Sequence, residues 1–247
     1  MKLVARRRFE PSHDLGNPLR LEPDHPALTE KRTLFPSRLR DPGSDGWVLK
    51  GGENQYKLGS ICTKGDKKSF PIYSLSLEER ASCPHCKLWN TCYGNRSPFS
   101  IRFRHGPKLI RQLSMELKLL CLRNPAGILI RLHQLGDFYS VEYVRQWDRW
   151  LDQFEALNVF GYTHHRPSTL IGRELNRLIR SRWDRFAVRW SNSTRKTKST
   201  RTLMAIPDTM EVDGAIVCPQ QFHSPNLTCG SCSLCWASTR PIAFVVH

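Results

Sequence analysis

The chain has 247 residues, of which 39% are hydrophobic and 10% aromatic, enough for one sizeable core and too apolar for a disordered protein. Its 38 Lys and Arg against 22 Asp and Glu give a formal charge of +16, which favours a polyanionic partner, nucleic acid first among them. No apolar run approaches the ~20 residues of a membrane helix, and the start Met1-Lys-Leu-Val-Ala-Arg-Arg-Arg8 lacks a signal peptide's apolar centre, so a soluble cytoplasmic protein without a membrane partner is expected.

Residues 1–56, rich in Pro, Arg and Asp, show no sustained period and are expected to form an irregular arm. Residues 57–247 are expected to form a single α/β domain. Short apolar runs at Tyr56–Thr63 and Phe70–Ser74 flank Gly65-Asp-Lys-Lys68 and suit a hairpin or two short strands, and Leu75-Ser-Leu-Glu-Glu-Arg80 suits a short helical lead into a cysteine loop. Pro107 can start a helix whose apolar face is Ile110, Leu113, Leu117 and Leu120. Gly127–His133 reads as a buried strand, and Ser140 is placed to cap a helix carrying Tyr143, Val144, Trp147, Leu151 and Phe154. The pattern repeats with a strand at Leu157–Thr163, a helix capped by Ser168, and a strand at Phe186–Trp190. Further strands are expected at Leu203–Ile206, Ala215–Val217 and the Ile242–Val246 end. Strands and helices in alternation mean parallel pairing through right-handed crossovers. The expected class is therefore α/β, as a partial parallel (β/α) barrel or an open parallel sheet, with a cysteine-rich segment over 207–240.

Seven of the nine cysteines fall in two tight groups, a spacing that points to metal ligands rather than disulfides. Cys83, Cys86 and Cys92 supply three thiols, and three ligands leave one coordination position open. His85 could close such a site instead. Cys218, Cys229, Cys232 and Cys235 supply four, a full set for zinc or for an iron-sulfur cluster. The seven could also meet in one site if the C-terminus folds back. Cys121, on an apolar helix face, is expected in the core.

Three strand ends carry polar chemistry: His133 with Gly136-Asp137-Phe138, Gly161 to His165, and Arg189-Trp190-Ser191-Asn192-Ser193. Parallel strands would open them on one side of the sheet. Arg131 and Arg189 interrupt strands expected to be buried; either Asp137 is the partner of one of them or the arginine lies on a solvent-facing edge strand. Between Arg173 and Arg201 ten basic side chains face two acidic ones, and Arg173, Arg177, Arg180, Arg195, Lys196, Lys198 and Arg201 are the candidate phosphate contacts.

Several motifs carry a resemblance: Leu75 to Arg80, Cys83-Pro to Cys92-Tyr-Gly-Asn95, Arg131-Leu-His133, Gly136-Asp-Phe-Tyr-Ser140, Phe160-Gly-Tyr-Thr163 and Cys229 to Trp236. Over roughly residues 50–240 the chain resembles the phage and prophage "gene product 88" family, which implies a bacterial host cytoplasm but no reaction. The layout also resembles radical S-adenosylmethionine enzymes. That likeness implies a four-iron cluster on Cys83, Cys86 and Cys92, and Gly136-Asp137 where such enzymes hold the methionine amino group. It implies an auxiliary cluster on the four C-terminal thiols. The loop spacing differs, with two and five residues between thiols where those enzymes have three and two.

Three functions follow as expectations. In the first, an iron-sulfur enzyme binds S-adenosylmethionine with Gly136, Asp137, Ser191 and Asn192, moves protons with His133 or His164, and acts on a nucleic acid or nucleotide-derived group. In the second, zinc pins the loops of a nucleic-acid-binding protein that stacks bases on Trp183, Trp190 or Trp236. In the third, His133, Asp137, His164 and His165 hold a hydrolytic metal ion.

Overall fold

The computed structural model describes residues 20–44, 46–55, 57–83, 86–222 and 227–245. Its class is the expected α/β one, with parallel-dominated sheets and no closed barrel. Strands β1 (Ile72–Ser74), β2 (Ile128–Leu132), β3 (Leu157–Thr163) and β4 (Phe186–Trp190) pair in parallel in that order. Lys50–Gly51 adds an antiparallel edge to β1. The crossovers contain helices α1 (Pro107–Arg123), α2 (Val141–Gln153) and α3 (Leu170–Ser181). Pro107 stands in the first turn of α1, and the Ser140 side chain accepts from the Tyr143 N–H at the start of α2. Helix α3 is capped by Thr169 and not by Ser168, because the Thr169 hydroxyl is the one that reaches the Gly172 N–H, at 3.0 Å.

A second sheet contains β5 (Thr200–Leu203), β6 (Ala215–Val217) and β7 (Ile242–Val245) in the order β5-β7-β6, all parallel, with Glu211–Val212 antiparallel at the edge. Strand β5 starts before the expected Leu203–Ile206 run, since Thr200–Leu203 is the stretch in register with β7. One parallel bridge, Trp190 to Ser199, joins the sheets. Because Trp190 ends β4 and Ser199 directly precedes β5, the second sheet begins where the first one stops. It is joined beside the end of β4 with a stagger, and the sheets form no closed barrel.

A parallel sheet must be covered on both faces, and right-handed crossovers place the connecting helices on one of them. That side is the main core, where Ile130, Leu132, Val159 and Val188 meet Leu113, Leu117, Trp147, Leu151, Leu175 and Leu178. The other face, which carries Ile72, Leu129, Phe160 and Ala187, is covered by Leu58, Cys62, Phe70 and Trp236, with Cys229 and Cys235 packed beside them. The cysteine segment thus takes the place of a helix layer.

Residues 20–44 lie against the first cysteine loop. The Leu21 N–H reaches the Asn90 carbonyl at 2.9 Å, and Thr33 donates to Glu78 and Glu79. Val48 and Leu49 are buried in the main core, with the Glu116 carboxylate accepting both of their N–H groups at 2.7 and 2.8 Å. Among the described residues no helix is long and apolar enough to cross a membrane.

Candidate metal centre

The first cysteine loop follows β1, so it leaves the sheet at the C-terminal end of the strands. It is held in shape by buried charge. Arg102, fully buried, donates to Glu79 at 2.8 Å and to the carbonyls of Gly94, Ser97 and Ser100 at 3.1, 3.0 and 2.5 Å. Arg80 donates to the carbonyls of Arg32 and Trp89 and to Asn95 Oδ1. The Trp89 indole closes the loop onto the Cys83 carbonyl at 3.1 Å. An irregular loop has few neighbouring strands to satisfy its carbonyls, and two guanidinium forks do that work here.

Two of the three sulfurs receive backbone N–H groups, Leu88 to Cys86 and Gly94 to Cys92, each at 3.4 Å. Burial pushes the Cys92 thiol up to about 11, opposed by the Gly94 N–H. Cys86 is raised by burial, and Cys83 is raised further by burial and by the charge of Asp137, Cys86 and Cys92. Buried thiols hold their protons at neutral pH until a cation displaces them. His85 lies outside the described residues.

The turn after β2 packs against the segment that leads into this loop. Gly136 has φ +86, and a Cβ there would meet Ser82 Oγ at 2.4 Å and Leu77 Cβ at 2.8 Å, so only glycine brings the turn this close. Asp137 is buried and ties two strand ends together: it accepts from the Phe138 N–H (2.7 Å), the His164 N–H (2.8 Å) and Thr163 Oγ1 (3.2 Å). It pairs with neither strand arginine, contrary to expectation. Arg131 donates to the Leu132 carbonyl and lies 4.3 Å from the centre of the Tyr162 ring. Arg189 finds carbonyl oxygens instead of a carboxylate.

Those oxygens belong to the second cysteine segment. The fully buried Arg189 guanidinium donates to the carbonyls of Cys235 (2.9 Å), Arg240 (2.8 Å), Leu234 (3.0 Å) and Ser238. Thr228 caps the turn Cys229–Cys232 with a reciprocal Ser231 bond, and the Cys229 and Gly230 N–H groups pair with the Lys57 and Leu58 carbonyls. The Tyr162 hydroxyl lies 2.8 Å from Cys235 Sγ. Burial pushes Cys218 up to about 11, with Cys235 and Cys232 adding to it, and Cys229 is raised by burial and by the other three. Cys232 is raised by burial. Mutual influence therefore sorts the seven thiols into a group of three and a group of four. Among the described residues, no three His, Cys, Asp or Glu side chains are arranged to hold a single metal ion. Cys121 and Cys62 are buried core residues.

The other candidates are spread around these groups. His133 is buried, with Nε2 3.0 Å from the Tyr143 hydroxyl and its ring against Phe138. Burial and the neighbouring Arg131 push it down to about 3, so it is neutral. His165 Nε2 is 2.7 Å from the Phe138 carbonyl, whereas His164 is exposed. His133, Asp137 and His165 are thus each engaged by local structure. The Ser191 N–H extends the strand ladder to the Thr163 carbonyl, and Asn192, at φ 45, makes the turn toward β5. Trp190 and Trp236 are buried, and Trp183 is packed beneath Arg189 and Lys198, because these rings fill cores that aliphatic neighbours leave open.

The basic run is partly neutralised. Arg177 meets Asp148 (2.5 Å) and Glu174 (2.9 Å), Arg201 donates to the Asp213 carbonyl, and Lys198 Nζ donates to the Ile179 carbonyl. Arg195 lies 5.4 Å from the Trp190 ring centre, and Arg173, Arg180 and Lys196 are exposed.

Sequence reasoning missed Arg80, Arg102 and Tyr162. Arg80 and Asn95 sit inside the motifs that flank the loop, but Arg102 stands in a stretch with no periodic pattern to mark it. Neither family models, nor curated proteins, nor solved structures give a match to the chain.

Proposed function

We propose that this is an iron-sulfur protein that acts on a nucleic acid or a nucleotide-derived substrate. In this reading Cys83, Cys86 and Cys92 hold one cluster and Cys218, Cys229, Cys232 and Cys235 hold a second. The observation that carries it is the place of the three-thiol loop. It follows the first parallel strand, at the sheet end where α/β proteins gather their ligand sites, and Gly136, in the turn after the neighbouring strand, packs against Leu77 and Ser82, which lead into it.

The donor sets are of the chemical kind that the group takes. Thiolates are the ligands of such clusters, and hydrogen bonds to sulfur tune them; the N–H groups of Leu88 and Gly94 and the Tyr162 hydroxyl stand within that reach. A cluster with one open iron supplies one-electron reduction to a molecule bound there, which is S-adenosylmethionine in the enzymes that the layout resembles. The chain's own residues shape the site. Arg80 and Arg102 fix the loop, Asp137 positions the His164 backbone, and the exposed His164 imidazole is the proton-handling group at the mouth. Arg173, Arg180 and Lys196 supply attraction for phosphate.

Anaerobic purification tests the reading. The protein should be brown, contain iron and sulfide, and lose part of its iron on Cys83→Ala and a different part on Cys229→Ala. A colourless protein with zinc alone would establish a zinc-stabilised binding protein instead.

A further inference from the structure

The open edge of the first sheet carries a cavity that the metal sites do not use. It lies at the C-terminal end of β1, has a volume of about 290 Å³, and is walled by residues from 48–55, by Ser74, Ser76 and Gln134, and by residues 99–103. The edge of β1 pairs with Lys50–Gly51 and, through the Ile72 N–H, with the Ser60 carbonyl, and residues 99–103 at the tail of the cysteine loop form the far wall.

The walls differ in chemistry. One is apolar, with Phe103 buried at its base and Phe99 70% exposed at the rim. The other carries the amides of Asn54, Gln55 and Gln134. Ser76 Oγ donates to Gln134 Oε1 at 3.0 Å, and Asn54 Nδ2 donates to the Gly51 carbonyl at 3.1 Å, so both amides are oriented before any ligand arrives. Lys50 is the charged residue among the lining side chains, and its Nζ is 5.7 Å from the Phe103 ring centre. Arg38 places a second cation 5.9 Å from the Phe99 ring centre.

Aromatic rims take planar rings by stacking. Paired amides read ring edges that alternate donors and acceptors. Lys50 favours an anion on the same ligand, and the neighbouring Glu53 carboxylate, outside the lining, accepts from Asn54 Nδ2 at 3.5 Å. The volume, at the small end of the ~300–1,000 Å³ range of ligand pockets, suits one such unit. We propose that this cavity binds a single 5′-nucleotide unit, with its base against Phe99, the base edge on Asn54, Gln55 and Gln134, and its phosphate toward Lys50. The inference deepens the nucleotide-derived substrate of the preceding section and rests on that part of the reading, independently of the metal. A free mononucleotide and the end of a strand offer the same chemistry.

Calorimetric titration of the full chain tests this with the four 5′-mononucleotides, the matching nucleosides, ribose 5-phosphate and a 5′-phosphorylated single-stranded tetranucleotide. At least one mononucleotide should bind with a base preference. Phe99→Ala should weaken it roughly tenfold or more. Lys50→Ala should bring nucleotide affinity down to that of the nucleoside and flatten its salt dependence. Both side chains reach solvent, so circular dichroism of the variants should match that of the parent protein. Tighter binding of the tetranucleotide identifies a strand end as the source; equal or weaker binding identifies a free nucleotide. The proposal is overturned by equal binding of ribose 5-phosphate, by unchanged affinity in Phe99→Ala, or by no binding at all. Iron and zinc are measured on the same samples. Iron without nucleotide binding removes the cavity and leaves the clusters, whereas nucleotide binding by an iron-free protein does the reverse.

Discussion

A guanidinium in a dry interior has five N–H groups to satisfy, and leaving them or their acceptors unpaired costs about 1–3 kcal/mol each. Arg189 meets this demand with four carbonyls of the segment 234–240, and in doing so fixes the backbone on which Cys235 sits. Replacing it by Met keeps the volume and strands the carbonyls. Arg189→Met should lower unfolding free energy by at least about 3 kcal/mol, measured by urea titration, and should strip metal from the C-terminal thiols while the Cys83 group keeps its own. Equal metal loss from both groups would show a general collapse instead. His133 is buried in its neutral form. Its folded pKa of about 3 lies below its ordinary 6.5, so the unfolded chain takes up a proton that the folded protein refuses. The stability that neutral His133 contributes is complete above about pH 6.5 and is lost as pH falls toward about 3, at up to about 1.4 kcal/mol per unit. Urea midpoints between pH 7 and 5 should fall more steeply for the parent protein than for His133→Gln, and parallel slopes would remove the effect.

At the scale of an element, the first cysteine loop depends on a buried ion pair more than on secondary structure. Glu79 neutralises Arg102 and accepts from Thr33, so one carboxylate joins the residue 20–44 segment, the loop and the short helix Glu79–Ser82. Breaking a buried pair by removing one partner costs roughly 3–5 kcal/mol. Glu79→Gln should therefore free the loop: proteolysis should cut between residues 86 and 103, and Cys86 and Cys92 should react faster with thiol reagents. Arg102→Lys should behave in the same way, because a single ammonium cannot span the carbonyls of Gly94, Ser97 and Ser100 as the fork does. If thiol reactivity stays at the parental rate in both variants, the loop is held by something other than this pair.

Across the whole molecule, the sheet is covered on one face by helices and on the other by the cysteine segment, so the segment that carries four candidate thiol ligands is also core packing. Removing the metal by oxidation and chelation should lower the thermal midpoint and expose the Leu129 and Phe160 face to a hydrophobic dye, while the far-ultraviolet helix signal persists. A metal-free protein with an unchanged midpoint would show that the segment packs without ligation. How much of this was legible in the chain follows from range. The helices α1 to α3 and the strands β2 to β4 were readable, because hydrophobic periodicity and caps act over a few residues, and the alternation of elements leaves only parallel pairing; β1 read as one of the short runs beside a hairpin turn, and its parallel pairing with β2 was not legible. Cysteine spacing likewise divided the thiols into three and four. What the sequence could not decide was which buried groups meet. Asp137 reads as a partner for arginine or for a ligand, but it faces N–H groups brought to it by β3. Arg189 finds its carbonyls some fifty residues away, and the stagger that begins the second sheet where the first ends rests on one bridge at Trp190. Pairings of that kind depend on where the chain returns after long excursions, and only the tertiary fold fixes that.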